Sequence, residues 1–433
     1  MSTNWRETYL NKICTADEAV RKGIKEGDHL VFGHAAAAPA VVSKALYDNR
    51  ACFKDLSVFH MLYFGEAWHL KPEMEGIVKP VLNFLEGNSR PAYNERRADF
   101  LPCHFHEVPD LFKQKFYPVD VAVVKLSEPD ESGYCSFGIS NDYTKPACEC
   151  ARTIIAEINP NMPYIGGDNF IHISQIDYII EDNSPITEIP GPPIGEIEME
   201  IGRRCSELIH DGDTLQLGIG AIPDAVLQCL KDRKDMGIHT EMFTDGVMHM
   251  IRSGNINGAN KTLHPGKVVT TLIMGSRELY EFLDHNPMIE AYSVNYTNDP
   301  FIIGKNKKMI SINSCIEVDL TGQVASESIG HNQFSGTGGQ VDYLRGARRS
   351  EGGFSILAFP STARNGKESR IVPLLKEGAT VTSMRNDVDY FVTEYGVARL
   401  KGKTLKQRAY ALVEIAHPQF RETLLKNIKE RFE

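Results

Sequence analysis

The sequence predicts an α/β protein built from two similar domains, each a mostly parallel sheet flanked by helices. Three observations lead there: a segment that occurs twice, a proline-rich joint between the copies, and strands that alternate with amphipathic helices. At 433 residues the chain exceeds what one core usually organises, which agrees with two domains.

The repeated segment reads IKEGDHLVFGHAAAAPAVVSKALYD from Ile24 and IHDGDTLQLGIGAIPDAVLQCLKD from Ile209. Gly27-Asp28 matches Gly212-Asp213, Gly33 matches Gly218 and, after a one-residue slip, Pro39 matches Pro223. Each copy reads as a helix end, a Gly-Asp turn, a short apolar strand, a small-residue loop and a helix with proline near its first turn. A weaker pair lies later in each half, VDVAVVKLSEPDESGYCSFG (119–138) and SCIEVDLTGQVASESIG (314–330). Each of these is read as an apolar strand, an acidic turn and a glycine that starts the return strand. Between the halves lies SPITEIPGPPIG, Ser184 to Gly195, whose four prolines in nine residues cannot continue a helix or a central strand. The expected domains are therefore 1–190 and 191–433.

In the second half the pattern predicts a helix over 196–210, a strand over 213–218, a helix over 222–231 and strands over 238–243 and 267–274. A helix capped by Ser276 comes next, then strands near 308–313, 354–359 and 389–394. Two helices close the chain, the first opened by the capping box Thr404-x-x-Gln407. Sheets of this kind place ligands at the carboxyl ends of their strands, where loops lead into helices.

Composition narrows the function. A net charge of −10 argues against a general nucleic-acid surface, although a local group such as Arg345, Arg348 and Arg349 suits a small anion. The polar N-terminus has no signal-peptide pattern, and the longest apolar stretch, LVFGHAAAAPAVV, is interrupted by Gly33, His34 and Pro39, so no membrane span is expected. Nine scattered cysteines fit reduced thiols in the cytoplasm. Cys148-x-Cys150 and His104-x-His106 lack the spacing partners of a four-ligand site, so no metal is expected.

Two glycine loops stand out, QLGIGAIPDA (216–225) and FSGTGGQVD (334–342). Small residues there let backbone N–H groups approach an anion or oxyanion. Turn-forming glycines would look the same, and neither loop carries a dinucleotide or phosphate-loop fingerprint. Glu241, in EMFTDG, is expected to end the strand that comes after the first loop and its helix; position alone leaves it either a reactive group or a solvated carboxylate.

QLGIGAIPDAV, GIHTEMFTDGV, QFSGTGGQVDYLRGA and VTEYGVARLKGKTLKQRAYALVEIAHP resemble the signature segments of the acetyl-CoA hydrolase/transferase group of family I CoA-transferases, in the same order. The resemblance, with ADEAV and HFHEVP added, spans nearly the whole chain. It implies two CoA-transferase α/β domains and makes Glu241 the nucleophile that becomes a glutamyl-CoA thioester. It assigns CoA contacts to Gly218, Ile219, Gly220, Ala221, Ile222, Gly338 and Gly339, more loosely to Ile316, and puts Asn298 near the acyl group. The implied reaction moves CoA between a short acyl-CoA, 4-hydroxybutyryl-CoA or butyryl-CoA, and acetate. CoA serves as substrate and covalent intermediate, without a metal, in a homodimer that engages neither nucleic acid nor membrane. An acyl-CoA hydrolase using the same glutamate is the alternative, and an acyl-CoA-binding protein without turnover the more distant one. Glu394, Asp245, Asp342 and His239 are read as supporting groups, and Arg364 and Lys367 as either phosphate contacts or solvated charges.

Overall fold

The computed structural model describes residues 5–433. They form two compact units, one running up to Pro190 together with Val269–Thr297, the other comprising Gly191–Val268 and Asn298–Glu433. The break after residue 190 falls in the proline-rich joint, but the expected span 191–433 is interrupted. Residues 269–297 pack with the first unit, where Ile273 donates to Ile139 O and Gly275 O accepts from Ile189, each at 2.9 Å.

Among the described residues the first unit holds a seven-stranded sheet in the order Tyr178–Glu181, Thr153–Ile158, Val121–Leu126, His29–Phe32, Leu56–His60, Val78–Leu82 and Asp99–Phe100, with every neighbour parallel. Its central strands are apolar without alternation because both faces are covered. Leu30, Phe32, Val121 and Val123 pack on one side with Ala19, Val20, Val42 and Leu46 of two helices. The intervening Val31, Ala122 and Val124 pack on the other with Phe112, Tyr143 and Ala147. In the second unit the order is Gly237–Ile238, Thr214–Leu217, Met309–Asn313, Phe354–Ala358 and Tyr390–Thr393, all parallel, closed by an antiparallel edge, Gly396–Arg399.

The duplication is visible in individual hydrogen bonds. The Asp28 carboxylate accepts the Lys25 N–H at 2.7 Å, and Asp213 accepts that of His210 at 2.7 Å. Between them sit Gly27 and Gly212 at φ 79° and 77°, a left-handed turn that glycine adopts without strain. The strand after each turn ends on a glycine whose N–H reaches the neighbouring strand: Gly33 to Val123 O at 2.8 Å, Gly218 to Ile312 O at 3.1 Å. The weaker pair repeats as faithfully at its turn. Asp130 accepts the N–H of Ser132 and Tyr134, and Asp319 accepts those of Thr321 and Gln323.

Several boundaries differ from expectation. The helix from Glu196 stops at Ser206, before the Gly-Asp turn. Residues 267–274 divide into Val268–Thr270 and Leu272–Ile273, and 238–243 into Gly237–Ile238 and Met242–Phe243. SCIEV is not the sheet strand of the second repeat; Met309–Asn313 is. Six positions rather than four separate that strand's end from the turn aspartate, and Glu317–Asp319 pairs instead with Val324–Ala325 and Ile371–Val372. The Thr404 capping box is present, Gln407 N–H donating to Thr404 Oγ1 at 3.3 Å and Thr404 N–H to Gln407 Oε1 at 2.9 Å. Ser276 Oγ likewise accepts from Leu279 N–H at 3.3 Å.

Asp319 is fully buried and also accepts from Thr321 Oγ1 and Gln323 Nε2, whereas Asp130 is half-buried. Removing a buried acceptor strands its donors. Asp319→Ala is expected to cost about 2–4 kcal/mol in urea unfolding, and Asp130→Ala about half as much.

Candidate active site

Glu241 does not end a strand. It occupies a bend between Gly237–Ile238 and Met242–Phe243, and it is half-exposed while His239, Thr240, Met242 and Phe243 around it are buried. The bend is anchored from behind. His239 N–H donates to Leu215 O at 3.1 Å, and Thr240 Oγ1 donates to Leu217 O at 3.3 Å and Met242 O at 3.1 Å. The second of these sheet contacts lies at the last residue of Thr214–Leu217, so the carboxylate emerges at the carboxyl edge of the sheet, beside the strand that runs into the first glycine loop.

Asn298 is fully buried, and its Nδ2 donates to Glu241 Oε2 at 2.6 Å. An ionised carboxylate only accepts, which fixes the amide orientation. Asn298 Oδ1 has no hydrogen-bond partner among the described residues. Asp299 sets the backbone just beyond it by accepting the Phe301 N–H at 2.7 Å and capping the helix Pro300–Ile303.

Gly339 completes the contact. A Cβ built at this position would overlap both Glu241 Oε2 and Asn298 Nδ2, so the carboxylate lies directly against main chain. Gly338, at φ 53°, turns the loop into this approach, and Gly339 opens the helix Gln340–Arg349 with no side-chain cap. On that helix Tyr343 is buried; burial, then the charges of Glu241 and Asp342, push its phenol well above the ordinary value. Sequence reasoning missed Tyr343, because a tyrosine on the buried face of a helix carries no signal beyond packing.

The first glycine loop has complementary chemistry. Gly220 has φ 115° and ψ −176°, a conformation open essentially to glycine alone, and the helix Ala221–Cys229 begins immediately after it without a side-chain cap. Uncapped N–H groups at a helix start carry partial positive charge and suit an anion. Ile219, 55% exposed, stands at the crest of the loop.

Thus the structure brings Glu241, Asn298 and Gly339 into one contact, with Gly338 next to it in chain. It places Gly218, Ile219, Gly220, Ala221 and Ile222 at the end of the adjoining strand. Ile316 belongs to another element: it is half-buried before Glu317–Asp319, and its N–H is spent on Ala325 O at 2.9 Å. The suggested arginine group is not free for an anion. Arg345 pairs with Asp387 at 3.2 Å, Arg348 with Asp389 at 3.4 Å, and Arg349 lies over the Phe301 ring at 4.1 Å. Arg364 pairs with Glu368 at 2.9 Å, and Lys367 is exposed. Glu394 serves the scaffold, its carboxylate accepting the Ser361 hydroxyl at 2.5 Å and the Ser361 N–H at 2.9 Å. Among the described residues there is no cluster of three or more metal-ligating side chains.

A sheet edge with a half-exposed glutamate, a buried amide on its carboxylate and two glycine-rich turns at uncapped helix starts is the arrangement of an α/β protein suited to an anionic ligand. Similarity to known proteins identifies the family. Models of the acetyl-CoA hydrolase/transferase N-terminal and C-terminal domains match residues 1–190 and 275–428. The 4-hydroxybutyrate coenzyme A transferase of Clostridium kluyveri is 55% identical over 428 residues, covering 99% of this chain and 100% of that protein. The succinyl-CoA:cyclohexane-1-carboxylate CoA transferase of Geobacter metallireducens is 43% identical, covering 97% and 96%. The crystal structure of 4-hydroxybutyrate CoA-transferase from Porphyromonas gingivalis superposes with a TM-score of 0.88 at 56% identity, covering 99% and 100%. The chain belongs to the acetyl-CoA hydrolase/transferase family.

The tight approach at Gly339 and the partly buried Asp224 are both open to test. Gly339→Ala has no room beside Glu241; steady-state assays of CoA transfer are expected to show turnover reduced about 100-fold or more, the effect of a displacement near 1 Å within an active site. Asp224, in the helix after the first loop, has its carboxyl raised to about 6 by burial and by the charge of Asp245. The fold therefore keeps a proton that the unfolded chain releases near pH 4, so this group's contribution to stability is complete below about pH 4 and declines up to about pH 6. Because Asp224 is only half-buried, solvent screening reduces the effect. Asp224→Asn is expected to stabilise the protein by about 1–2 kcal/mol at pH 8 and not at pH 4, read from denaturation midpoints at the two pH values.

Proposed function

We propose that this protein transfers CoA between a short-chain acyl-CoA, with 4-hydroxybutyryl-CoA or butyryl-CoA as the donor, and acetate, using Glu241 as nucleophile. The observation that carries the proposal is the Glu241 carboxylate itself, half-exposed between buried neighbours, held by Asn298 and pressed against the Gly339 backbone. The transferase names of the relatives favour transfer over hydrolysis.

The steps are those of carboxylate chemistry. Glu241 attacks the acyl-CoA carbonyl and expels CoA thiolate, leaving an acyl-glutamyl anhydride. The thiolate then attacks the Glu241 carbonyl, the free carboxylate departs, and the enzyme holds CoA as a thioester. Acetate reverses the sequence. Each addition creates a tetrahedral oxyanion, for which the Gly338–Gly339 main chain and the Asn298 amide supply dipoles at the carboxylate. Such a donor is typically worth about 10²–10³ in rate. The nucleophile has no proton to lose, so no general base is needed to activate it.

The loop Gly218–Ile222 would receive the anionic part of CoA, with Ile316 a more distant contact. Nine free thiols support a reducing, cytoplasmic setting, and among the described residues no helix is long and apolar enough to cross a membrane. The family resemblance supports a homodimer, which light scattering in solution checks.

Incubation with 4-hydroxybutyryl-CoA, reduction by borohydride and peptide mapping is expected to modify Glu241, and Glu241→Gln to lower transfer by at least about 10³-fold. Transfer that continues with Glu241 unmodified excludes this mechanism, and CoA release that is fast and indifferent to acetate assigns hydrolysis instead.

A further inference from the structure

The loop that brings Gly339 to Glu241 is held by a carboxylate that no step of the chemistry uses. Glu327 is 4% exposed, and among the described residues no cation lies within ion-pair distance of it. Its two oxygens are shared between loop side chains. Oε2 accepts from Gln333 Nε2 at 3.0 Å and Oε1 from Thr337 Oγ1 at 3.4 Å. The carbonyl of the same residue accepts the N–H of Phe334 at 2.7 Å and of Ser335 at 3.0 Å.

A buried carboxylate without a counter-ion is costly to keep, and hydrogen bonds to its charged form are what offset that cost. The carboxylate's ties to Gln333 and Thr337, added to the main-chain bonds from Phe334 and Ser335, therefore fix the start and middle of the loop. The far end is secured by the preceding residue: Gln340 Nε2 donates to Ser326 Oγ at 2.9 Å and to Ser383 Oγ at 3.1 Å. Between Thr337 and Gln340 lie only Gly338 and Gly339, the first at φ 53° and the second in contact with the Glu241 carboxylate. Two glycines have wide conformational freedom, so their position depends on these two anchors.

We propose that Glu327 is a positioning residue for CoA transfer, acting through Thr337 to hold the Gly338–Gly339 main chain against Glu241. The inference rests on Glu241 being the nucleophile. Because the loop meets the Glu241 carboxylate, loosening it is expected to affect the chemical step more than binding.

The test uses the full-length protein with 4-hydroxybutyryl-CoA and acetate. Thr337→Val removes only the hydroxyl that reaches Glu327, and Glu327→Ala removes the anchor itself. The expected results are a kcat lower by about 3–10-fold for Thr337→Val and about 10–100-fold for Glu327→Ala, with KM for acyl-CoA within about 3-fold of the original. The borohydride-trapped Glu241 adduct should form more slowly by the same factors, and Thr337→Val should retain the original melting temperature. If Glu327→Ala does not fold, Thr337→Val decides alone. Trapping at the original rate in Thr337→Val, or a change confined to KM, overturns the role of Glu327 while leaving Glu241 as nucleophile. No Glu241 adduct in the unmodified protein overturns the mechanism, and this inference with it.

Discussion

The hydrogen bond from Asn298 Nδ2 to Glu241 Oε2 is the interaction on which the site's geometry turns. A carboxylate in water samples many orientations and is fully solvated. Here one oxygen is committed to a buried amide and crowded by the Gly339 main chain, which restricts the rotamer and excludes water from that side. Three separate parts of the second unit must converge for this: the bend at 241, the turn at 298 and the loop at 338–339. The sheet edge fixes the bend, a capping aspartate fixes the turn, and a buried glutamate fixes the loop.

The second unit departs from the first mainly beyond its duplicated turns. Both copies of the Gly-Asp turn and both copies of the D-x-S/T-G turn keep the same hydrogen bonds. After the repeated strand the copies diverge. One runs into a glycine-rich loop at an uncapped helix start, the other into HAAAA, where His34 is buried 3.2 Å from the buried Asp142. The scaffold is shared up to the glycine that ends each strand, while the loops that follow are not.

The sequence carried the two α/β units legibly, because the glycines and aspartates that make the repeated turns are conformationally required and stand out at fixed spacing. It also carried the glycine loops. Periodicity could not supply the break at Glu241: buried residues on both sides made 238–243 look like one strand, and only the anchoring by Thr240 divides it. The strand Met309–Asn313 was located, but its match to the first repeat was misread because the second copy has a longer connection. Basic residues near 345–349 looked available for an anion, since ion pairs to Asp387 and Asp389 arise from residues about 40 positions away. The role proposed for Glu241 comes only through resemblance, as nothing in EMFTDG by itself separates a reactive carboxylate from a solvated one.

The Gly339 contact has a consequence for how such a site can vary. The surface that residue 339 presents to Glu241 Oε2 is main chain, and it offers no side chain to exchange for a larger, smaller or differently charged one. Substitution can therefore alter that contact only at a remove, through the side chains that hold the loop in place on either side of the two glycines.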